Sequence, residues 1–344
     1  MSDNKVMIAM SGGVDSSVAA YLMQQAGFDC IGATMHLWDN APAADAQKIA
    51  QRLGMPFFVF DNTEDFRNAV VEPFIRCYET GGTPNPCVSC NRHLKFDALL
   101  KKALELDCQY IVTGHYAQIR KDPTTDRYLL YKAADRAKDQ SYFLSCLTQN
   151  QLAHVKFPLG ALTKDEVRSI AQAQDFINAR KKDSQDICFI PDGNYKAFME
   201  SYTGKTYPAG DFLDQAGNVI GRHNGAVGYT IGQRKGLGIA LGTPAYVCEK
   251  SMENNTVTVG PDQALFSNTL TAADWNWIPF PTLTDPLQCK ARVRYRHTEQ
   301  PATVYPEDNG RARVEFDEPQ RAITPGQTVV LYDGDMVIGS GTIL

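Results

Sequence analysis

The sequence predicts an α/β chain, with a parallel-sheet domain first and two small β domains after it. Three observations carry this. Between Lys5 and Thr113, apolar runs of strand length alternate with segments whose apolar residues recur at helical spacing. A glycine turn, Ser11-Gly12-Gly13-Val14-Asp15-Ser16-Ser17, joins the first strand directly to the first helix. Beyond Gly204 the chain shifts to short alternating runs rich in Gly, Val and Thr, the pattern of small β domains. The expected domains are residues 1–203, 204–272 and 273–344, with the last break marked by the proline-rich stretch Trp275–Pro286.

Taken in order, Lys5–Met10 has the length of a buried strand, and Val18, Ala19, Leu22 and Met23 set the apolar face of the next helix. Cys30–Leu37 reads as a second strand, followed by a helix from about Ala43 to Leu53 that Gly54 closes. Phe57–Phe60 is a third strand, and a longer helix runs from about Thr63 to Tyr78. A Gly/Pro-rich loop, Gly81 to Asn91, precedes a helix expected over Leu94–Leu106, and Tyr110–Thr113 is a further strand. A hairpin forms around Asp122–Asp126, helices follow to about Gln174, and Asn194–Tyr202 is the last helix of this domain. Ligands of such sheets sit at the carboxyl ends of the strands. The glycine turn, Met35 and Gly114-His115 all fall there.

Length and composition narrow the function. A chain of 344 residues has room for two or three domains, and 43% hydrophobic with 21% charged residues describes an ordinary globular protein. No apolar run reaches membrane-span length and no apolar signal region opens the chain, so a membrane role is excluded and a cytoplasmic location expected. With a net charge of −5, any nucleic-acid partner has to be held by local patches.

The glycine turn carries the first chemistry. Without a Cβ, Gly12 and Gly13 admit unusual backbone angles and close approach of a ligand. The bare N–H groups and positive dipole of the following helix make an anion site. Gly-Lys-Ser/Thr is absent, so this is not the usual P-loop. The stretch resembles the SGGxDS loop of the ATP-pyrophosphatase (PP-loop) superfamily, whose members cleave ATP between the α and β phosphates and pass AMP to a carbonyl oxygen.

Nine cysteines, an odd number in a chain without a secretion signal, do not read as a disulfide framework. Cys30 and Cys108, at strand starts, read as buried small hydrophobes. Cys90 lies in the Pro/Gly loop just before a helix, where its pKa is expected to fall, with His93 and Lys95 adding positive charge. Cys188 lies far away in sequence, between Asp186 and Phe189. Cys87-Val88-Ser89-Cys90 is also a C-x-x-C, open to three readings: a redox dithiol, half a zinc site completed by Cys77 or His93, or inert buried cysteines. The lack of a second C-x-x-C weighs against zinc.

Taken together, the motifs resemble those of the bacterial tRNA-uridine 2-sulfurtransferases, the tRNA-specific 2-thiouridylases. The matching pieces are Ser11–Ser17, Thr83–Pro86 with Cys90-Asn91, Lys95-Phe96, Thr113–Tyr116, Lys138–Tyr142, Ser184–Ile190, Gly232-Gln233-Arg234 with Gly236-Leu237, Arg294–Arg296 and Pro325–Gln327, in the family's order. The resemblance implies a PP-loop domain (adenine nucleotide alpha hydrolase-like) and a final β-barrel. It implies ATP bound by Ala9, Met10, Ser11, Gly12, Gly13, Val14, Asp15 and Ser16, with Met35 and Gly114 near the adenosine, and Mg²⁺ accompanying the nucleotide. Cys90 would be the nucleophile, and Cys188 would carry the sulfur as a persulfide. Asn85, Pro86, Cys87, His115, Lys138, Asp139, Gln140, Arg294, Tyr295 and Gln327 would contact tRNA. Implied partners are the tRNAs for Lys, Glu and Gln with a wobble uridine, and a persulfide-carrying donor protein fed by a cysteine desulfurase.

One departure stands out: many members have Asp where this chain has Cys87. The segment after Trp38 also looks short. No metal ligands are legible; Asp15 is a candidate. Separately, Lys290, Arg292, Arg294, Arg296 and His297 alternate with apolar residues, which predicts one cationic strand face able to meet phosphates. Two other readings compete. One is a PP-loop enzyme that amidates or ligates a small metabolite, which needs no paired thiols. The other is a non-catalytic RNA-binding module.

Overall fold

Val6, Met7 and Ile8 are fully buried, so strand β1 (Lys5–Ala9) is covered on both faces. The structure, a computed structural model, describes residues 4–38, 43–179, 187–239 and 242–344. From β1 the chain passes through α1 (Val14–Gln25), β2 (Asp29–His36), α2 (Ala43–Arg52) and β3 (Phe57–Asp61). With β4 (Tyr110–Val112) and the short β7 (Val155–Lys156), these strands form an all-parallel sheet in the order β3-β2-β1-β4-β7. Successive side chains of a strand point to opposite faces. Accordingly Met7, Ile31 and Ile111 pack with Phe96, Leu99 and Leu100 on one side. Val6, Ile8 and Val112 pack with Val18, Ile49 and Val167 on the other.

Two helices differ from expectation. The segment after β3 is α3 (Thr63–Phe66), a π-helical turn over Arg67–Val71, and α4 (Glu72–Glu79). The helix expected from Leu94 starts earlier. It runs as α5 (Pro86–Cys90), a π-helical stretch over Asn91–Ala98, and α6 (Leu99–Glu105). Pro86 supplies the reason: at the first helical position its fixed φ fits and its missing N–H is not needed. Cys90 therefore lies inside a helix, not in a loop ahead of one.

The hairpin, β5 (Ala117–Lys121) and β6 (Tyr128–Lys132), follows β4. Then come α7 (Ser141–Leu144), α8 (Gln149–Ala153), α9 (Lys164–Ala173) and α10 (Tyr195–Thr203). Reciprocal capping boxes, Thr148 with Gln151 and Thr163 with Glu166, fix the starts of α8 and α9. Next, β8 (Gly210–Leu213), β9 (Val219–His223), β10 (Tyr246–Ser251) and β11 (Thr256–Gly260) form a four-stranded sheet around Phe212, Val247 and Val257.

The last strands are β12 (Phe266–Trp277), β13 (Leu287–Arg292), β14 (Gln300–Pro306), β15 (Ala312–Arg321), β16 (Thr328–Asp333) and β17 (Met336–Ile343). They run in the order β12-β15-β14-β13-β16-β17, and pairing of β12 with β17 closes the barrel, which removes its open edges. β12 crosses position 272 without a break, and the proline-rich stretch beyond it links β12 to β13. Only Lys290 and Arg292 of the expected cationic face lie on a strand, because β13 ends at Arg292.

The first domain and the barrel share structure. Hairpin strand β6 pairs with β17 through Tyr131 and Met336, extending the barrel's sheet. Glu299 joins the two: it accepts from Lys132 Nζ at 2.7 Å and from Arg292 Nη2 at 3.1 Å, with all three side chains at most 16% exposed. Removing one member of such a group strands the others in low dielectric. Glu299→Ala is expected to cost about 3–5 kcal/mol of stability by chemical denaturation. A loss under about 1 kcal/mol, the worth of a surface pair, would contradict this.

Candidate active site

The glycine turn is held from inside. Gly12 has φ +72°, a left-handed conformation that glycine adopts at no steric cost. Gly13 is extended and caps α1; its carbonyl accepts from Ser16 Oγ at 3.1 Å and Ser17 Oγ at 3.0 Å. Ser11 N–H donates to Ser16 Oγ at 3.3 Å. The first intrahelical bond is Ser17 N–H to Gly13 O, so the amides of Val14, Asp15 and Ser16 lie ahead of it at the dipole's positive end. Met10 is buried beneath the turn, and its N–H donates to Ala33 O of β2 at 2.8 Å.

Two side chains that the sequence did not single out brace this turn. Lys164, at the start of α9, places Nζ 2.8 Å from both carboxylate oxygens of Asp15, which also accepts from Tyr116 Oη at 2.8 Å. The Asp15 carboxylate, 31% exposed, is thus paired with a buried lysine. Asn178 is buried and donates to Gly12 O at 3.1 Å and Ser17 Oγ at 2.9 Å. The capping box around Thr163 was visible locally, but nothing in the sequence tied Lys164 or Asn178 to a turn some 150 residues earlier.

The ends of neighbouring strands complete the pocket mouth. Met35, near the end of β2, is half-buried against the cores on both sides of it. Gly114, just past β4, approaches so closely that a Cβ there would sit 2.6 Å from Asp15 C and 2.7 Å from Ser16 N. The residues implied for ATP therefore lie together at the carboxyl ends of β1, β2 and β4, where such sheets bind ligands.

The thiols share a second neighbourhood beside it. Cys90 is 7% exposed and packs with Phe74, Leu94, Phe189 and Ile190 in one apolar cluster. Ile187 packs against the same cluster, so Cys188 is carried on a segment anchored next to Cys90. Phe189 fixes that anchor, with ring centroids 5.3 Å from Phe74 and 5.4 Å from Phe66. Ser184, Gln185 and Asp186 of the same motif lie outside the described residues.

Burial pushes the Cys90 thiol up to about 11, and Lys95 opposes this while Cys188 and Cys87 add to it. This reverses the lowering expected from a helix start, because the thiol is in core. Cys188 is exposed as a residue, but crowding of its sulfur raises its pKa, with Cys87 contributing. His93 adds no charge; burial, then Arg92, lowers its pKa. All nine cysteines are free, and no three metal-ligating side chains gather among the described residues. Iodoacetamide at pH 7.5 should therefore label the exposed Cys87 and Cys188 first, with Cys90 labelling only as pH rises toward 11. Peptide mass spectrometry checks the order, and early Cys90 labelling would contradict the buried geometry.

The residues implied for tRNA are distributed around this site, many of them holding it together. Gln327, from the barrel, donates to Thr83 O at 2.8 Å and Pro84 O at 3.3 Å, and Thr83 N–H donates to Pro325 O. That clamp sets the loop leading to Pro86 and α5. Asn85 is the N-cap residue of α5. Asp139 is buried and accepts from Ala133 N–H and from Ser141 N–H and Oγ, while its carbonyl accepts from Tyr295 Oη at 3.2 Å. Gln140 Oε1 accepts from Tyr116 N–H. Lys138 lies half-buried in the same loop. Arg294 donates through Nη2 to Ile231 O, Ala322 O and Thr324 Oγ1, tying the middle domain to the barrel. His115 is enclosed by Phe96 and Phe157, and burial lowers its pKa to about 3, so it is neutral at physiological pH.

Comparison with known proteins places these features in a family. A tRNA methyl transferase HUP domain model matches residues 4–192, a tRNA methyl transferase PRC-barrel domain model residues 196–261, and an aminomethyltransferase beta-barrel domain model residues 267–343. The tRNA-specific 2-thiouridylase MnmA of Acetivibrio thermocellus is 46% identical over 358 residues, covering 100% of both chains. Its namesake from Clostridioides difficile is 46% identical over 354 residues, covering 99% of this chain and 98% of the relative. That of Symbiobacterium thermophilum is 46% identical over 357 residues, covering 98% and 92%.

Proposed function

Because the chain belongs to the tRNA-specific 2-thiouridylase family, we propose that it replaces the C2 oxygen of a tRNA wobble uridine with sulfur at the expense of ATP. Products are 2-thiouridine, AMP and pyrophosphate. The observation that supports this reading is the presence of the glycine turn at the head of α1 and of the Cys90 cluster with the Cys188 segment in one domain, within the residues 4–192 that the family model matches.

The uracil C2 carbonyl is part of a urea-like system and a poor electrophile. Transfer of AMP to its oxygen makes a leaving group. Amides of Val14, Asp15 and Ser16 receive the anionic phosphates at the head of α1, in a backbone already fixed by Ser16, Ser17 and Asn178. Lys164 pairs with Asp15, so the charge of that carboxylate is offset beside them. Mg²⁺ would accompany the phosphates, to which it binds while keeping waters.

Sulfur carried on Cys188 as a persulfide attacks C2, AMP leaves, and Cys90 takes the other sulfur of Cys188 to release the product, leaving a Cys90–Cys188 disulfide. The wobble base has to leave its stack to reach the site. A persulfide-carrying protein supplies Cys188, and the tRNAs for Lys, Glu and Gln are the substrates we infer. The matched models are described by methyl transfer, and a metabolite-amidating PP-loop enzyme is the competing reading. Amidation of a metabolite needs no paired thiols.

The test is mass spectrometry of tRNA nucleosides after incubation with ATP, Mg²⁺ and a persulfide donor. New 2-thiouridine is expected, with one pyrophosphate per modified base. Pyrophosphate release without tRNA, and no thiolated base, would favour the metabolite enzyme.

A further inference from the structure

The function proposed above uses Cys90 and Cys188 and leaves Cys87 idle. Yet Cys87 occupies α5 together with Cys90, three residues apart and so one helical turn away. Its side is the open one: Cys87 is exposed, whereas Cys90 is 7% exposed beneath it. Cys188 sits on the segment that packs into Cys90's cluster. Cys87 and Cys188, both exposed, thus flank the apolar cluster that buries Cys90.

We propose that Cys87 is the resolving cysteine that resets the enzyme after each sulfur transfer. The inference rests on the thiolation reading, which ends with a Cys90–Cys188 disulfide. The Cys87 thiolate attacks the Cys90 sulfur, the Cys90–Cys188 bond breaks, and Cys188 leaves as a thiolate ready for the next sulfur. This exchange is redox-neutral. An external dithiol then reduces the Cys87–Cys90 disulfide, giving up two electrons and becoming a disulfide itself.

The geometry supports this order in two ways. First, Cys90 is closed to an external dithiol while Cys87 on the same helix is exposed, so the exchange leaves a disulfide reachable at Cys87 and returns Cys188 to receive the next sulfur; direct reduction at Cys188, which is also exposed, is the competing route that the Cys87→Ser ratio below separates. Second, the backbone between the two sulfurs is lightly held. Side chains three apart on a helix have Cβ atoms roughly 5–6 Å apart, and a disulfide needs about 3.5–4.5 Å. The turn that has to tighten is the five-residue α5, whose N-cap Asn85 makes no side-chain cap bond and which runs straight into a π-helical stretch. The mutual electrostatic influence of Cys87, Cys90 and Cys188 agrees with this proximity. Cys146 is a further thiol near Cys90, but it is 3% exposed and donates to Val88 O at 3.4 Å, so a Cys90–Cys146 disulfide would be closed to an external dithiol.

Two measurements on the full chain test this. The first uses Cys188→Ser in glutathione redox buffers, with disulfides mapped by acid quench and peptide mass spectrometry. A Cys87–Cys90 disulfide should form; its absence overturns the proposal, and this arm needs no turnover. The second maps disulfides after one round of thiolation without reductant. Wild type should end as Cys87–Cys90 and Cys87→Ser as Cys90–Cys188. With dithiothreitol restored, the ratio of later rounds to the first should fall at least tenfold in Cys87→Ser. Wild type ending as Cys90–Cys188 or Cys90–Cys146, or an unchanged ratio, overturns the proposal. Absence of 2-thiouridine in the first wild-type round would instead refute the thiolation reading itself, while the glutathione arm would still stand or fall alone.

Discussion

Cys90→Ser and Cys188→Ser should each lower 2-thiouridine formation by about 10³-fold or more, because the members of a unit that makes and breaks one bond fail singly. ATP binding should survive both changes. Neither sulfur belongs to the glycine turn, whose brace is Ser16, Ser17, Asn178 and the Asp15–Lys164 pair. Serine keeps the size of cysteine at the edge of the Phe74–Phe189 cluster but cannot hold a persulfide or form a disulfide. Cys248→Ser, in the middle domain, serves as the control: its thiol only donates to Tyr246 O, and thiolation should persist. The measurement pairs nucleoside mass spectrometry with calorimetric titration of ATP. Full activity in either Cys90→Ser or Cys188→Ser would remove the sulfur relay, and loss of ATP binding would show that the two sites are not separate.

What could be read from the residues was local. The strand–glycine turn–helix unit announces itself through three adjacent features, and the structure keeps all of them. Gly54 and Gly204 end helices at positive φ, as their positions suggested. The misreadings came from partners distant in sequence. The cationic run looked like a phosphate-facing strand, but Arg292 finds Glu299 and Arg294 finds carbonyls of the middle domain and the barrel, and β13 stops between them. Cys90 looked like a loop thiol because its Pro/Gly surroundings are loop-like. Burial under Phe189, about a hundred residues on, decides its chemistry instead. Lys164 and Asn178 carried no motif at all. The hairpin was legible as a hairpin, whereas its addition to the barrel comes from partners some 170–200 residues on, Tyr131 with Met336 and Lys132 with Glu299. The residues implied for tRNA raise the same point. Gln327, Asp139 and Arg294 make bonds that tie the domains to one another, a structural role that their motifs did not announce.

Gly114→Ala should damage catalysis with a single methyl group. Its Cβ would lie 2.6 Å from Asp15 C and 2.7 Å from Ser16 N, both backbone atoms, so no side-chain rotation relieves the clash. The glycine turn and the end of β4 would have to separate by several tenths of an ångström or more. Overpacking of this kind costs about 1–3 kcal/mol. The larger effect falls on chemistry, because those atoms belong to the amides that receive the phosphates. A shift near 1 Å in positioning groups costs about 10²-fold in rate. ATP-dependent pyrophosphate release with tRNA should therefore drop by about 10²-fold, with circular dichroism still native. Gly228→Ala gives the contrast: a Cβ there meets only Lys196 Cβ at 3.9 Å, an ordinary contact, so activity should hold. If Gly114→Ala matches Gly228→Ala in rate, the tight seam between β4 and the head of α1 does not set the geometry of the phosphate site.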